Sequence, residues 1–369
     1  MRFAPALIVR RFGLPHRRIP AMTRAGLPAA AGLSWVASAT AAPASAGLGH
    51  GWQDALNSAG PQAAHIQDLW RLMLWMCSIV FALVLAAFLL ALWRAPRSRP
   101  DTAPDLEAKQ RPEAGIRRTV VTATVVSAAL LFVLIVASVW TDRALARMST
   151  SDALHIDVTA HQWWWELTYD DPDPSRQITT ANEIHVPVGR PVLVTLHADD
   201  VIHSFWVPNL AGKKDLIPGR TSQMQFRADR AGVFRGQCAE FCGVQHAWMA
   251  FDVDAMPPAD YEAWAAAQRQ TPPAPSDPLL ARGRQLFLSS TCVMCHNVAG
   301  TTASARKGPD LSHVGSRRTL AAGALPNDAG SLAAWIRDPQ KIKPGNNMPA
   351  HDFAPDDMKA LVAWLESLK

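Results

Sequence analysis

Two long apolar blocks constrain this 369-residue chain more than any other feature. Leu69 to Trp93 is uncharged apart from Arg71, and Thr119 to Trp140 carries no charge at all. Each is long enough to cross a hydrocarbon core as one helix. A pair of buried core helices is the weaker explanation for stretches this apolar. The expectation is a two-helix transmembrane hairpin within residues 47–149, with spans at about 69–93 and 119–140. The intervening loop, 94–118, holds Arg94, Arg97, Arg99, Lys109, Arg111, Arg117 and Arg118, which puts it on the cytoplasmic side. Both flanks of the hairpin, and everything after Trp140, are then exported. Much of the net charge of +5 lies in this loop and at the N-terminus, so it gives no reason to expect a nucleic-acid partner.

Residues 1–46 read as a targeting segment. Arg2, Arg10, Arg11, Arg17, Arg18 and Arg24 precede an Ala-rich stretch that ends Ala44-Ser45-Ala46, a run of small residues suited to signal cleavage. The stretch from Met22 onward makes a tidier signal alone, so Met22 is an alternative start. An uncleaved tail is the other reading, and neither alters the chemistry downstream.

Beyond the hairpin, residues 150–265 alternate short β-rich runs with Pro, Gly and Asp punctuation. Examples are His155-Ile-Asp-Val, Glu183-Ile-His-Val and Val192-Leu-Val-Thr-Leu. That rhythm suggests an antiparallel sandwich or barrel. Residues 266–278 form a linker, and its Pro-rich run from Gln270 to Pro278, roughly ten residues at about 3.1 Å each, favours an extended reach of about 30 Å. A second soluble domain, 279–369, follows.

Soft metal ligands cluster between Cys238 and Met249. The run contains Cys238, Glu240, Cys242, His246 and Met249, and His203 lies upstream. Two thiols, two imidazoles and a thioether suit copper. One thiolate with two His and Met makes a mononuclear blue-copper site; a second thiolate can instead bridge two copper ions that share an electron. A Cys238–Cys242 disulfide in an exported domain is the plain alternative. Cys77 falls inside the first apolar block and needs no function beyond packing.

The second domain opens on Cys292-Val-Met-Cys295-His296, the attachment spacing of c-type haem. Its thiols form thioethers to the haem, and His296 is placed to bind iron. Zinc would need two further ligands at compatible spacing, and none stands out nearby. A thioredoxin-like pair would need a βαβ context that is missing. The segment Asn346-Asn347-Met348-Pro349 is similar to the methionine loop of class I cytochromes c, which makes Met348 the expected sixth iron ligand. His-Met ligation favours a relatively high potential. Met294 lies inside the attachment loop, and Met358 falls in an apparent C-terminal helix, so both are excluded. His313 is expected to be an ordinary histidine. Gly308-Pro309 resembles the segment that buttresses the proximal histidine in that class.

From about residue 65 to 258 the chain resembles subunit II of haem-copper cytochrome c oxidase, and with its C-terminal domain it resembles the fused caa-type subunit. The fold class this implies is a transmembrane hairpin, a cupredoxin-like β-sandwich and an all-α class I cytochrome c domain. The resemblance implies a binuclear CuA centre bridged by Cys238 and Cys242. His203 and His246 would be its terminal ligands, Met249 a weak axial ligand, and Glu240 a ligand through its backbone carbonyl. It implies that the Glu240 carboxylate helps hold magnesium at the contact with subunit I, and that Trp163, at the surface, passes electrons inward. Trp164 and Trp165 are better explained by packing, and His161 by a structural hydrogen bond. Lys214, Asp215 and Arg220 either form ion pairs at that subunit contact or lie in a solvated turn. Many family members carry a glutamate near the start of the second span; here that region reads Ile116-Arg117-Arg118-Thr119, and the nearest acid is Glu113.

The implied partners are subunit I, other oxidase subunits, and an upstream respiratory cytochrome c or quinol-cytochrome c reductase. The implied location is the bacterial inner membrane, with both cofactor domains on the outer side. Two rivals stand beside this reading: a copper subunit of a nitric oxide reductase, and a copper-storage protein.

Overall fold

The computed structural model describes residues 53–95, 113–147 and 149–369. The targeting segment and most of the 94–118 loop lie outside the described residues.

Two helices open the described chain, α1 (Pro61–Arg94) and α2 (Ala114–Ala146), and they pack against each other. Both run past the apolar blocks. Their midsections expose Phe81, Leu83, Phe132 and Ile135, an apolar surface that suits lipid rather than water. The extra turns at the start of α1 have a separate use. Pro61 occupies the first turn, where its missing N–H costs nothing. Gln62, Ala63 and Gln67 are buried against the sandwich that follows. Gln62 Oε1 accepts the Arg227 N–H at 3.2 Å, and the Ala63 N–H reaches the Leu210 carbonyl at 3.1 Å. At the other end of the hairpin, Gln225 Nε2 donates to the Leu145 carbonyl of α2 at 3.1 Å.

The sandwich contains β1 (Leu154–His161), β2 (Trp164–Tyr169), β3 (Ile178–Ala181), β4 (Glu183–Pro187), β5 (Val192–Ala198), β6 (His203–Trp206), β7 (Lys213–Leu216), β8 (Ser222–Phe226), β9 (Gly232–Cys238) and β10 (Ala250–Met256). One sheet runs β3-β2-β1-β5-β8 and the other β4-β10-β9-β6-β7. Most neighbours are antiparallel, but β1–β5 and β4–β10 pair parallel, so the chain crosses between sheets rather than running as simple hairpins. Strict alternation builds the core: β1 points Leu154, Ile156, Val158 and Ala160 inward. Trp165 is fully buried and meets Phe205 and Phe251 edge-on. Trp164 instead stacks on His161 at 4.4 Å, and the His161 ring also faces Asp199 at 3.3 Å. The segment read as a turn at Lys214–Asp215 is the exposed edge strand β7, followed by a turn at Gly219 with φ +74°.

Helix α3 (Pro258–Gln268) closes the sandwich. The C-terminal domain is helical: α4 (Pro278–Ser289), α5 (Ala329–Arg337), α6 (Pro339–Ile342) and α7 (Pro355–Ser367). Asp277 and Asp328 cap α4 and α5 by accepting the Leu279 and Ser331 N–H groups at 2.7 and 2.8 Å. The first and last of these helices cross closely at Gly283, where a Cβ would lie 2.1 Å from the Ala360 carbonyl oxygen. Phe287 and Trp364 pack beside the crossing at 5.1 Å. Met358 is buried in the packed face of α7, as expected, and Met294 is exposed.

Candidate functional site

The loop between β9 and β10 and the start of β6 bring the soft ligands together at one end of the sandwich. Hydrogen bonds from the Cys238 N–H to the Met249 carbonyl (3.0 Å) and from the Ala239 N–H to the Ser204 carbonyl (3.0 Å) close the loop on itself and on β6. The two sulfurs of Cys238 and Cys242 lie 3.7 Å apart as free thiols, well beyond a disulfide bond. His203 Nδ1 is 3.8 Å from Cys238 Sγ, and His246 Nδ1 is 3.6 Å from Cys242 Sγ. Met249 Sδ is 3.8 Å from Cys242 Sγ, and the Glu240 carbonyl oxygen is 3.2 Å from Cys238 Sγ. Donors about 2.1–2.3 Å from one shared ion sit about 3.5–3.8 Å apart in a tetrahedral arrangement, so this donor set fits metal. His203, Cys238, Cys242 and Met249 are buried; His246 is half-buried, and the Glu240 side chain is exposed.

Second contacts orient these ligands. Asp200 Oδ1 lies 2.8 Å from His203 Nε2, which fixes the tautomer that leaves Nδ1 free to face the sulfur. Burial works against protonating His203, but Asp200 and Cys238 outweigh it and hold its pKa above the ordinary value. Donation from Cys242 pulls the Cys238 thiol well down, and Cys242 is pushed up in turn. The pair therefore favours a single thiolate when only protons are present. Asp200 was not singled out from sequence, although a carboxylate three residues before a candidate ligand was a usable signal.

The second centre is a cavity of about 340 Å³ in the C-terminal domain. Cys292, Cys295, His296 and Met348 line it together with apolar groups that include Phe287, Leu332 and Leu361. The His296 ring donates from Nδ1 to the Pro309 carbonyl at 2.7 Å, which turns Nε2 toward the cavity. Gly308 makes room for that ring, since a Cβ there would sit 2.7 Å from Cε1. Opposite, Asn346 Oδ1 accepts the Met348 N–H at 2.8 Å, and Gln340 Nε2 donates to the Asn346 carbonyl at 2.7 Å, so the methionine loop is pinned. An apolar cavity with two thiols, a tautomer-fixed imidazole and a thioether fits covalent haem.

Trp163 stands between the two centres. Its indole Nε1–H donates to the Cys242 carbonyl at 2.9 Å, and Gln162 Nε2 donates to the same oxygen at 2.8 Å. Gly243, with φ +113°, lets the copper loop lie against the indole, since a Cβ there would come within 3.0 Å of it. Trp163 also lines the haem cavity. The expectation of a surface position is corrected here: Trp163 is only 8% exposed, because the C-terminal domain covers it.

Residues 171–256 match the family model for the periplasmic domain of cytochrome c oxidase subunit II, and residues 280–369 match that for cytochrome c. Cytochrome c oxidase subunit 2 of Alkalihalophilus pseudofirmus is 39% identical over 321 residues, covering 85% of this chain and 90% of that protein. The Bacillus subtilis subunit 2 is 32% identical over 268 residues, covering 68% of this chain and 74% of its own length. A solved periplasmic domain of subunit II from Bradyrhizobium japonicum is 31% identical and covers 31% of this chain and 93% of that one, with a TM-score of 0.30. This chain belongs to the cytochrome c oxidase subunit II family. It is the electron-entry subunit of an oxidoreductase complex, with a copper domain followed by a haem c domain and an N-terminal membrane anchor. Membership decides for the oxidase over the reductase and storage readings.

Proposed function

We propose that electrons reach this subunit at haem c, pass the Trp163 region to a binuclear copper centre, and leave for the haem-copper subunit I, where oxygen is reduced and protons are pumped. Haem c and copper, when bound, supply the one-electron couples. The chain supplies the cage. Cys292 and Cys295 would hold the haem covalently, and His296 and Met348 would bind its iron. Cys238, Cys242, His203, His246, Met249 and the Glu240 carbonyl would together hold the copper. A rigid sandwich with buried ligands limits rearrangement when the metal changes charge.

One observation carries this reading: Trp163 lines the haem cavity, and its indole donates to the carbonyl of Cys242 in the thiol cluster.

The exposed Glu240 carboxylate suits a hard cation such as magnesium at the contact with subunit I. Helices α1 and α2 would both span the bacterial inner membrane, which keeps the two cofactor domains on the outer face. The upstream donor would be a respiratory cytochrome c or a quinol-cytochrome c reductase.

The test is the visible and near-infrared spectrum of the purified holoprotein, with copper and haem content. A mixed-valence copper band, hyperfine splitting shared over paired copper nuclei, and a haem c spectrum are expected. Haem without a binuclear copper signal, in copper-replete protein, would reject the proposal.

A further inference from the structure

The contact between the copper and haem domains contains two charged side chains that ought to be in water. Lys343, from the haem domain, is 3% exposed. Its ammonium donates to the Trp163 carbonyl across the contact at 2.8 Å and to the Ala321 carbonyl within its own domain at 3.0 Å. Glu183, from the copper domain, is also 3% exposed. Its Oε1 accepts the N–H groups of Arg318 and Thr319 of the haem domain, at 2.6 and 3.1 Å. Each domain therefore presents one buried ionisable side chain to the backbone of the other.

Burying a charge is costly unless it is well bonded, and a surface that slides or only brushes its partner has no use for one. Neutral contacts support the same seat. The Ala250 N–H donates to the Ala322 carbonyl at 3.1 Å, and Gln245 Nε2 donates to the Pro344 carbonyl at 2.5 Å. A Cβ on Gly345 would come within 2.9 Å of Val244, so the two loops are in close contact. The bonded segments are not arbitrary ones. Thr319 and Ala321 help wall the haem cavity, and Lys343 leads into the methionine loop. The Trp163 carbonyl belongs to the residue whose indole touches the copper loop.

We propose that Lys343 and Glu183 are positioning residues that latch the haem domain in one electron-transferring seat on the copper domain, with Trp163 as the shared wall. This rests on the reading of the chain as an electron relay. The latched seat also closes Trp163 to any soluble donor, so an external donor delivers electrons to the haem domain instead.

The test uses the assembled oxidase with both cofactors loaded. Lys343→Met removes the donors while keeping most of the volume, and Glu183→Leu removes the acceptor. Glu183→Gln retains an acceptor oxygen and serves as the conservative control. Two readouts are taken: hydrogen exchange at the Arg318 and Thr319 amides, and the rate of haem-to-copper transfer after photoreduction. Glu183→Leu is expected to speed exchange at both amides by about tenfold or more, as loss of buried hydrogen bonds predicts, with Glu183→Gln recovering most of the protection. Lys343→Met and Glu183→Leu are expected to slow haem-to-copper transfer by about tenfold or more for the same loss of bonding, with haem and copper spectra and haem potential unchanged.

Equal exchange and equal rates in the wild type and both disruptive variants would overturn the latch. If Lys343→Met does not assemble, the comparison of Glu183→Leu with Glu183→Gln decides alone. Wild-type protein that shows no haem-to-copper transfer at all would overturn the relay itself.

Discussion

The two centres of this subunit are built in opposite ways. The proposed copper ligands Cys238, Cys242 and Met249 are themselves packed into the sandwich core with Trp165, Phe205 and Phe251, so no gap is left among them, and His203, Cys238 and Cys242 are already mutually close. The haem ligands instead surround a cavity of about 340 Å³ that interrupts the core of a small helical domain. Metal would tune the first region. The haem is part of the second region's core, so the two should respond very differently when a cofactor is withheld.

Blocking haem attachment should have the largest effect. A Cys292→Ala, Cys295→Ala double variant leaves that cavity unfilled. The apolar side chains that line it, Phe287, Leu332 and Leu361 among them, then have nothing to pack against. The expected outcome is loss of cooperative unfolding of the haem domain by calorimetry, with the copper-domain transition retained. A haem domain that still melts cooperatively would break the comparison.

Withholding copper sharpens it from the other side. Cys242→Ser should weaken copper binding strongly, yet shift melting of the metal-free sandwich by only a few degrees, since about 1 kcal/mol moves a domain of this size by that much. A collapse of the sandwich would show that metal is as structural here as haem is in its neighbour.

The smallest expected effect concerns pH at the contact between the regions. Burial pushes the Glu183 carboxyl up to about 7, with the Thr319 and Arg318 amides and Arg317 pulling the other way. Between its ordinary value near 4.5 and 7, the docked form holds the extra proton, so its contribution falls as pH rises. Burial pushes Lys343 down to about 7, offset in part by Cys242. Between 7 and its ordinary value of 10.5 the unfolded chain holds the extra proton, so its contribution grows as pH rises. His185 beside Glu183 is itself pushed down by burial to about 4, and opposes the acid limb of Glu183. Protection of the Arg318 and Thr319 amides is therefore expected to be weakest near pH 7. Lys343→Met should flatten the alkaline limb. Unchanged alkaline behaviour in that variant would assign the limb elsewhere.

Legibility followed sequence distance. The run from Cys238 to Met249 and the run from Cys292 to His296 are each compressed into one loop, so residue type and spacing were enough to propose their chemistry. Alternation exposed the sandwich strands, and uninterrupted hydropathy exposed α1 and α2. The parallel pairings β1–β5 and β4–β10 were not legible, because a strand's pattern does not say which neighbour it meets. Lys343 and Glu183 were equally hidden. Their partners lie 180 and 135 positions away, and by type alone both read as solvated charges. Trp163 was misplaced for the same reason, since what covers it comes from a different domain.

The seam at the foot of the sandwich has a mechanical consequence. Helix α1 enters it without a hinge: Gln62 and Gln67 are buried there, and a Cβ on Gly60 would strike the Arg227 carbonyl oxygen at 2.1 Å. A helix of 34 residues is about 51 Å long, and in a bilayer such a helix leans to match the local thickness. With the base clamped, any turn of the α1 axis is carried to the far end of the sandwich, as a shaft carries its lever.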